Sequence, residues 1–226
     1  MSKPPRFQIN WRYAIGEFLI VVLGIVAAFQ MDAWKERREK AQLLEEYLYD
    51  IEAGLQTDSL FYGFATAYFK NIENNIDSTV YYLDQKTNVL PEGADVSLVR
   101  FSTWYYVYIT NSAFQDLNNS GRLNLITDKE LRYDLIAYYQ YTDFLKVLDV
   151  EYNNSLGRMQ EVLLTQIDFQ KSDGLPIPNE LQSTIYNFLE QKRTYISSYM
   201  SHRKTCQNLN NSLRLKIASI LDSREE

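Results

Sequence analysis

The chain has a single cysteine, so no disulfide can form within it. It also has a single histidine, which leaves imidazole and thiolate metal sites almost without ligands. A di-iron bundle site needs the Glu-x-x-His pattern twice, and one histidine rules that out. Glycine and proline are scarce, at 8 and 5 of 226 residues. Sparse turn punctuation implies long elements, and the lack of alternating β-branched runs favours helices over sheets. There is no Gly-rich phosphate loop, no nucleophile elbow, no metalloprotease helix motif and no calcium loop. The sequence thus offers no catalytic residues. The expectation is a protein that is not an enzyme and takes no cofactor and no metal.

Basic charge is also scarce, except at one end. Through Lys40 there are seven Lys/Arg and four Asp/Glu; from Ala41 onward there are 16 and 25. The acidic remainder excludes nucleic acid as a partner, because phosphate affinity needs a basic face.

What the sequence does have is one long apolar run inside that basic end. Phe18–Phe29 contains no polar side chain, and the wider stretch Tyr13–Met31 is interrupted only by Glu17 and Gln30. Its 19 residues, at ~1.5 Å rise each, cover roughly one hydrocarbon core. Trp11 and Tyr13 stand at one end and Trp34 at the other, as in an aromatic belt. The reading is a basic tail over 1–12, a transmembrane helix over 13–34 and a helical domain over 35–226. A cleaved signal peptide shares the basic start and the apolar run, but the small-residue cleavage pattern is poor and the helix pattern runs on past Met31. A buried core helix is long enough too, but rarely lacks a polar face. The bilayer is therefore an expected partner. The Lys/Arg count is close to balanced, three before the segment and four after it. A short N-terminal tail usually stays in the cytoplasm, which places the acidic domain outside it.

Glu17 is the odd residue of the segment. An intramembrane carboxylate is a functional-site hypothesis by default; the plainer reading is that it reaches the interface or Arg12. Gly16, Gly24 and Ala28 share a stripe with Ile20, and small residues let membrane helices approach closely. Together these residues point to self-association.

Beyond the segment, apolar residues recur at 4-3-4-3 spacing: Leu44, Leu48, Ile51, Leu55, Tyr62, Ala65, Phe69, Ile72, Ile76 and Leu83. Only Asp58 and Thr79 break the pattern, which predicts one helix from the membrane to about Lys86. Further helices are expected at about 95–118, 128–171 and 179–222. Asn118–Gly121 reads as a turn, and Thr127 or Asp128 as an N-cap. The third helix has Leu131, Leu135, Tyr138, Thr142, Leu145, Tyr152, Leu156, Met159 and Leu163 on one face, with Asp149 as the exception. In the fourth, Leu181, Ile185, Phe188, Tyr195, Tyr199, Cys206, Leu209, Leu213 and Ile220 take the same spacing, and His202 falls in that seam. His202 and Cys206, one turn apart, are the only pair that could begin a metal site; core packing is the commoner fate of such a pair. The fold class is all-α: a transmembrane helix continuing into an antiparallel bundle of about four long helices.

Tyrosine is abundant, at 18 residues. Trp104, Tyr105, Tyr138 and Tyr139 belong to two aromatic clusters that either line a ligand or partner surface or pack the core.

The segment Tyr13–Arg37, with Gly16–Glu17 inside an apolar run, resembles the start of an uncharacterised family of bacterial single-pass membrane proteins. Phe114–Tyr139 is similar to a second stretch of that family, with its Ser-Gly turn, Leu/Ile run and Leu-Arg helix. The resemblance departs after Gln30, where Met-Asp-Ala-Trp stands for Ile-Asn-Asn-Trp. It implies the bacterial inner membrane and a helical domain, and no activity. The expected function is a membrane-anchored interaction or sensory-type module, binding a protein partner or an unidentified small molecule. The alternative is a subunit of an oligomeric membrane complex or channel assembled through Glu17, Gly16, Gly24 and Ala28.

Overall fold

The computed structural model describes residues 11–85, 89–90, 98, 100–102, 104, 106, 108–167 and 175–225. It is an all-α structure. Helix α1 (Trp11–Asp84) spans 74 residues, α2 (Ser112–Asn119) eight, α3 (Lys129–Gln166) 38 and α4 (Asn179–Glu225) 47. A 3-10 turn (Arg122–Leu125) joins α2 to α3. The residues fall into two compact units that divide between Tyr47 and Leu48.

In the first unit α1 carries the apolar run. Phe18, Ile20, Leu23 and Phe29 are 67%, 72%, 66% and 70% exposed, so no side of this helix is buried as a core helix would be. Among the described residues α1 is the one helix long and apolar enough to cross a membrane. Past it, Lys40 bonds Glu36 at 2.6 Å and Arg38 lies over Trp34.

In the second unit the rest of α1 packs with α3 and α4. The 4-3 spacing is realised as burial at Leu48, Ile51, Leu55, Tyr62, Ala65, Phe69, Ile72, Ile76 and Leu83. Helix α4 runs antiparallel to both others. It meets α1 through Asn210 at Leu55 and Arg193 at Asp77, and α3 through Lys216 at Asp134 and His202 at Tyr141. Two-residue strands β1 (Val89–Leu90) and β2 (Leu175–Pro176) pair antiparallel, tying the segments after α1 and α3. A pairing this short lies below anything periodicity can register.

The start of α3 resolves the choice between Thr127 and Asp128. Asp128 Oδ1 accepts the backbone N–H groups of Glu130 at 2.8 Å and Leu131 at 3.2 Å. A carboxylate there satisfies two of the unpaired donors of the first turn and favours the positive end of the helix. Asp128→Ala is expected to cost about 1 kcal/mol, read as a lower unfolding midpoint; an unchanged midpoint would assign the helix start to packing alone. Before it, Gly121 has φ +70°, a conformation open to glycine at no steric cost.

One predicted element does not form as expected. Among the described residues of 95–118 the helix is broken: Trp104, Tyr106 and 108–111 are not helical, whereas Leu98, 100–101 and α2 are. The stretch Thr103–Thr110 is rich in aromatic and β-branched residues, which lose side-chain freedom in a helix. Its backbone also has another partner, since Thr110 N–H donates to Asp58. Thr110 lies so close to α1 that a Cβ on Gly54 would meet it at 3.3 Å. Gly54 thus breaks no helix; it makes room for this segment.

Candidate functional site

The bundle core contains polar groups at the positions that interrupt the apolar spacing. On α1 these are Asp58 and Thr79; on α3, Thr142 and Asp149; on α4, Lys192, Arg203 and Asn210; all are buried. The two threonines bond backward into their own helices, to Asn75 and Tyr139 carbonyls. The other five reach across helices. Four of these are ionisable, two acids and two bases.

One cluster centres on Asp58. Its Oδ1 accepts the Thr110 N–H at 2.8 Å, and its Oδ2 accepts the Tyr138 hydroxyl, also at 2.8 Å. With its own proton committed to Asp58, Tyr138 accepts from Tyr62 Oη at 3.1 Å and from Asn210 Nδ2 at 3.3 Å. The same Asn210 nitrogen donates to the Leu55 carbonyl at 2.9 Å. Burial pushes the Asp58 carboxyl above the usual carboxylate range, against the pull of the Thr110 and Tyr138 hydrogen bonds. Burial likewise raises the hydroxyls of Tyr62, Tyr138 and Tyr139, and pushes the Cys206 thiol up to about 11. Cys206 is a buried neutral thiol and not a nucleophile.

The second cluster centres on Trp104. Its indole N–H donates to Asp149 Oδ1 at 2.8 Å, and its ring contacts Phe69, Tyr152 and Tyr199 at 5.0–5.2 Å. The Lys192 ammonium lies over the Trp104 ring, 4.6 Å from its centre. Burial draws the Lys192 ammonium down to about 7. Arg203 sits over the rings of Tyr62 and Tyr199, at 5.2 and 5.7 Å, and so bridges the two clusters.

Trp104, Tyr138 and Tyr139 therefore form no open surface. They are core residues, because each packs its ring among others and the hydroxyl or indole N–H of Trp104 and Tyr138 finds a buried carboxylate. Tyr105 lies outside the described residues. Glu17, Gly16, Gly24 and Ala28 lie on the exposed apolar stretch of α1, and a Cβ on Gly16 or Gly24 would meet nothing within 4 Å. His202 does not hold the seam of α4: Arg203 does, while His202 is half-buried and bonds the Tyr141 hydroxyl at 2.7 Å. The α4 seam runs Leu181, Ile185, Leu189, Lys192, Ile196, Tyr199, Arg203, Cys206, Asn210, Leu213 and Ile217. From Leu189 onward that frame is one residue away from the apolar one at Phe188, Tyr195 and Leu209, which are only half-buried. The signal that would have found it was present, since Lys192, Arg203 and Asn210 fall in 3-4 register with Leu189, Ile196 and Cys206.

Among the described residues no group of three His, Cys, Asp or Glu side chains is placed to hold a metal ion. The clusters gather hydroxyls, an indole and an amide around two carboxylates where α1, α3 and α4 pack together. No family model, curated protein or solved structure matches the chain.

Proposed function

We propose that this chain is a single-pass membrane protein whose helical bundle is an interaction or sensory-type module held at the bilayer. The observation that carries the reading is the helix stretch Phe18–Phe29, apolar on every side and buried on none. In water such a surface costs about 25 cal/mol for each Å² exposed; lipid removes that cost. The Trp and Lys/Arg flanks support the same placement. So does the resemblance of Tyr13–Arg37 to bacterial membrane proteins, which favours the inner membrane.

Alkaline carbonate extraction of membranes tests the anchor. The native chain is expected to stay in the membrane pellet. A Leu23→Arg, Val26→Arg double variant places two charges mid-helix, at roughly 2.5–3.5 kcal/mol each, and is expected to move to the soluble fraction. Release of the native chain by carbonate would refute the anchor.

A further inference from the structure

Between α1 and α4 lies a groove of about 390 Å³, lined by residues that include Tyr62, Thr66, Met200, Arg203, Lys204 and Gln207. Among the described residues that line it, two are cations and none is a carboxylate. Arg203 is 3% exposed, yet its hydrogen bonding is mostly unused. Nη2 donates to the Phe61 carbonyl at a long 3.3 Å, while Nε and Nη1 are covered and have no hydrogen-bond partner among the described residues. A guanidinium carries five N–H donors, and leaving them unmade inside a protein is costly.

We propose that this groove binds a small organic monocarboxylate, its carboxylate on the spare N–H groups of Arg203 and its apolar body against Tyr62 and Met200. The planar guanidinium is the side chain best matched to a carboxylate. Its face is already fixed by Tyr62 and Tyr199, so little freedom is lost on binding. Lys204, exposed on the same turn of α4, adds a second positive charge at the groove. Asp149, the acid that acts on Arg203 from α3, already accepts the Trp104 indole N–H. The free N–H groups are covered, so binding requires flexible side chains that line the groove to move. Tyr62 links the groove to Tyr138 and Asp58, so occupancy is felt in the first polar cluster.

The proposal deepens the module reading and rests on it for the role of the bundle; carboxylate binding and membrane attachment are scored by separate assays and can fail separately. The experiment is calorimetric titration of the full chain in lipid nanodiscs with acetate and benzoate, and with benzamide as the uncharged control. Saturable benzoate binding below ~10 mM is expected, with no saturation by benzamide. Lys204→Glu alters an exposed residue and should fold; it is expected to weaken benzoate roughly tenfold. Arg203→Met is expected to abolish binding while circular dichroism stays native. Absence of saturable binding for both acetate and benzoate would overturn the proposal. So would equal binding of benzamide, or native affinity in Lys204→Glu.

Discussion

Asp58→Leu is expected to destabilise the bundle by about 2–4 kcal/mol, although leucine is apolar, similar in size and set in an apolar seam. The side chain is wholly buried and is the acceptor for two donors from different parts of the chain, the Thr110 N–H and the Tyr138 hydroxyl. Each donor left buried without an acceptor costs about 1–3 kcal/mol. Part of that is offset because the carboxylate's own burial, the main cause of its raised pKa, is relieved. Tyr138 would also lose the acceptor that orients it, and with it the geometry in which Tyr62 and Asn210 donate to its oxygen. Asp58→Asn is expected to cost less, about 1 kcal/mol, since its amide oxygen still accepts from Thr110. Thermal unfolding of the full chain in detergent, followed by circular dichroism, orders the three proteins. A leucine variant as stable as the native chain would show that the network contributes nothing to stability.

The same residue marks how far the sequence was legible. The spacing on α1 was readable because ten of its seam residues are apolar, and the helix bounds followed. Asp58, Thr79 and Asp149 were visible only as exceptions to a pattern, and an exception does not say whether a polar group is buried with a partner or turned to solvent. For the two aspartates the partners settle that, and they lie 45–80 positions away: Trp104 for Asp149, Thr110 and Tyr138 for Asp58. On α4 three polar seam residues hid the register itself: an apolar count preferred the frame of Phe188, Tyr195 and Leu209. The segment before α2 failed as a helix for a related reason, because its backbone donor is used by Asp58 on another element. The exposed apolar run of α1 needed no partner to be read, and it was read correctly as long and apolar enough to cross a membrane.

Lys192→Met is expected to stabilise the bundle at neutral pH, by about 1–4 kcal/mol, and to remove most of its alkaline stabilisation. The native lysine is wholly enclosed, and burial draws its ammonium down to about 7. An unfolded chain holds that proton to a pKa of about 10.4. Between these values the unfolded state binds the extra proton, so native stability rises with pH, at up to ~1.4 kcal/mol per unit. Below the folded value both states are protonated, and the full cost of a buried ammonium is present. Its contact with the Trp104 ring offsets some of that cost, about 2 kcal/mol at most when desolvated. The rise does not continue indefinitely. Cys206 titrates at about 11 in the fold and near 8.5 when unfolded, so above that lower value it removes stability at the same slope. The buried tyrosines, also raised by burial, add to the loss above about pH 10. The native chain should therefore be most stable near pH 8.5–9, and more stable there than at pH 7. Subtracting the Lys192→Met profile isolates the lysine, because Cys206, Asp58 and the tyrosines are common to both proteins. Chemical unfolding midpoints at half-unit intervals from pH 6 to 10 give that difference. A native profile parallel to the variant's across pH 7–9 would mean that the ammonium is solvated or compensated in the fold, and that its enclosure does not govern its proton.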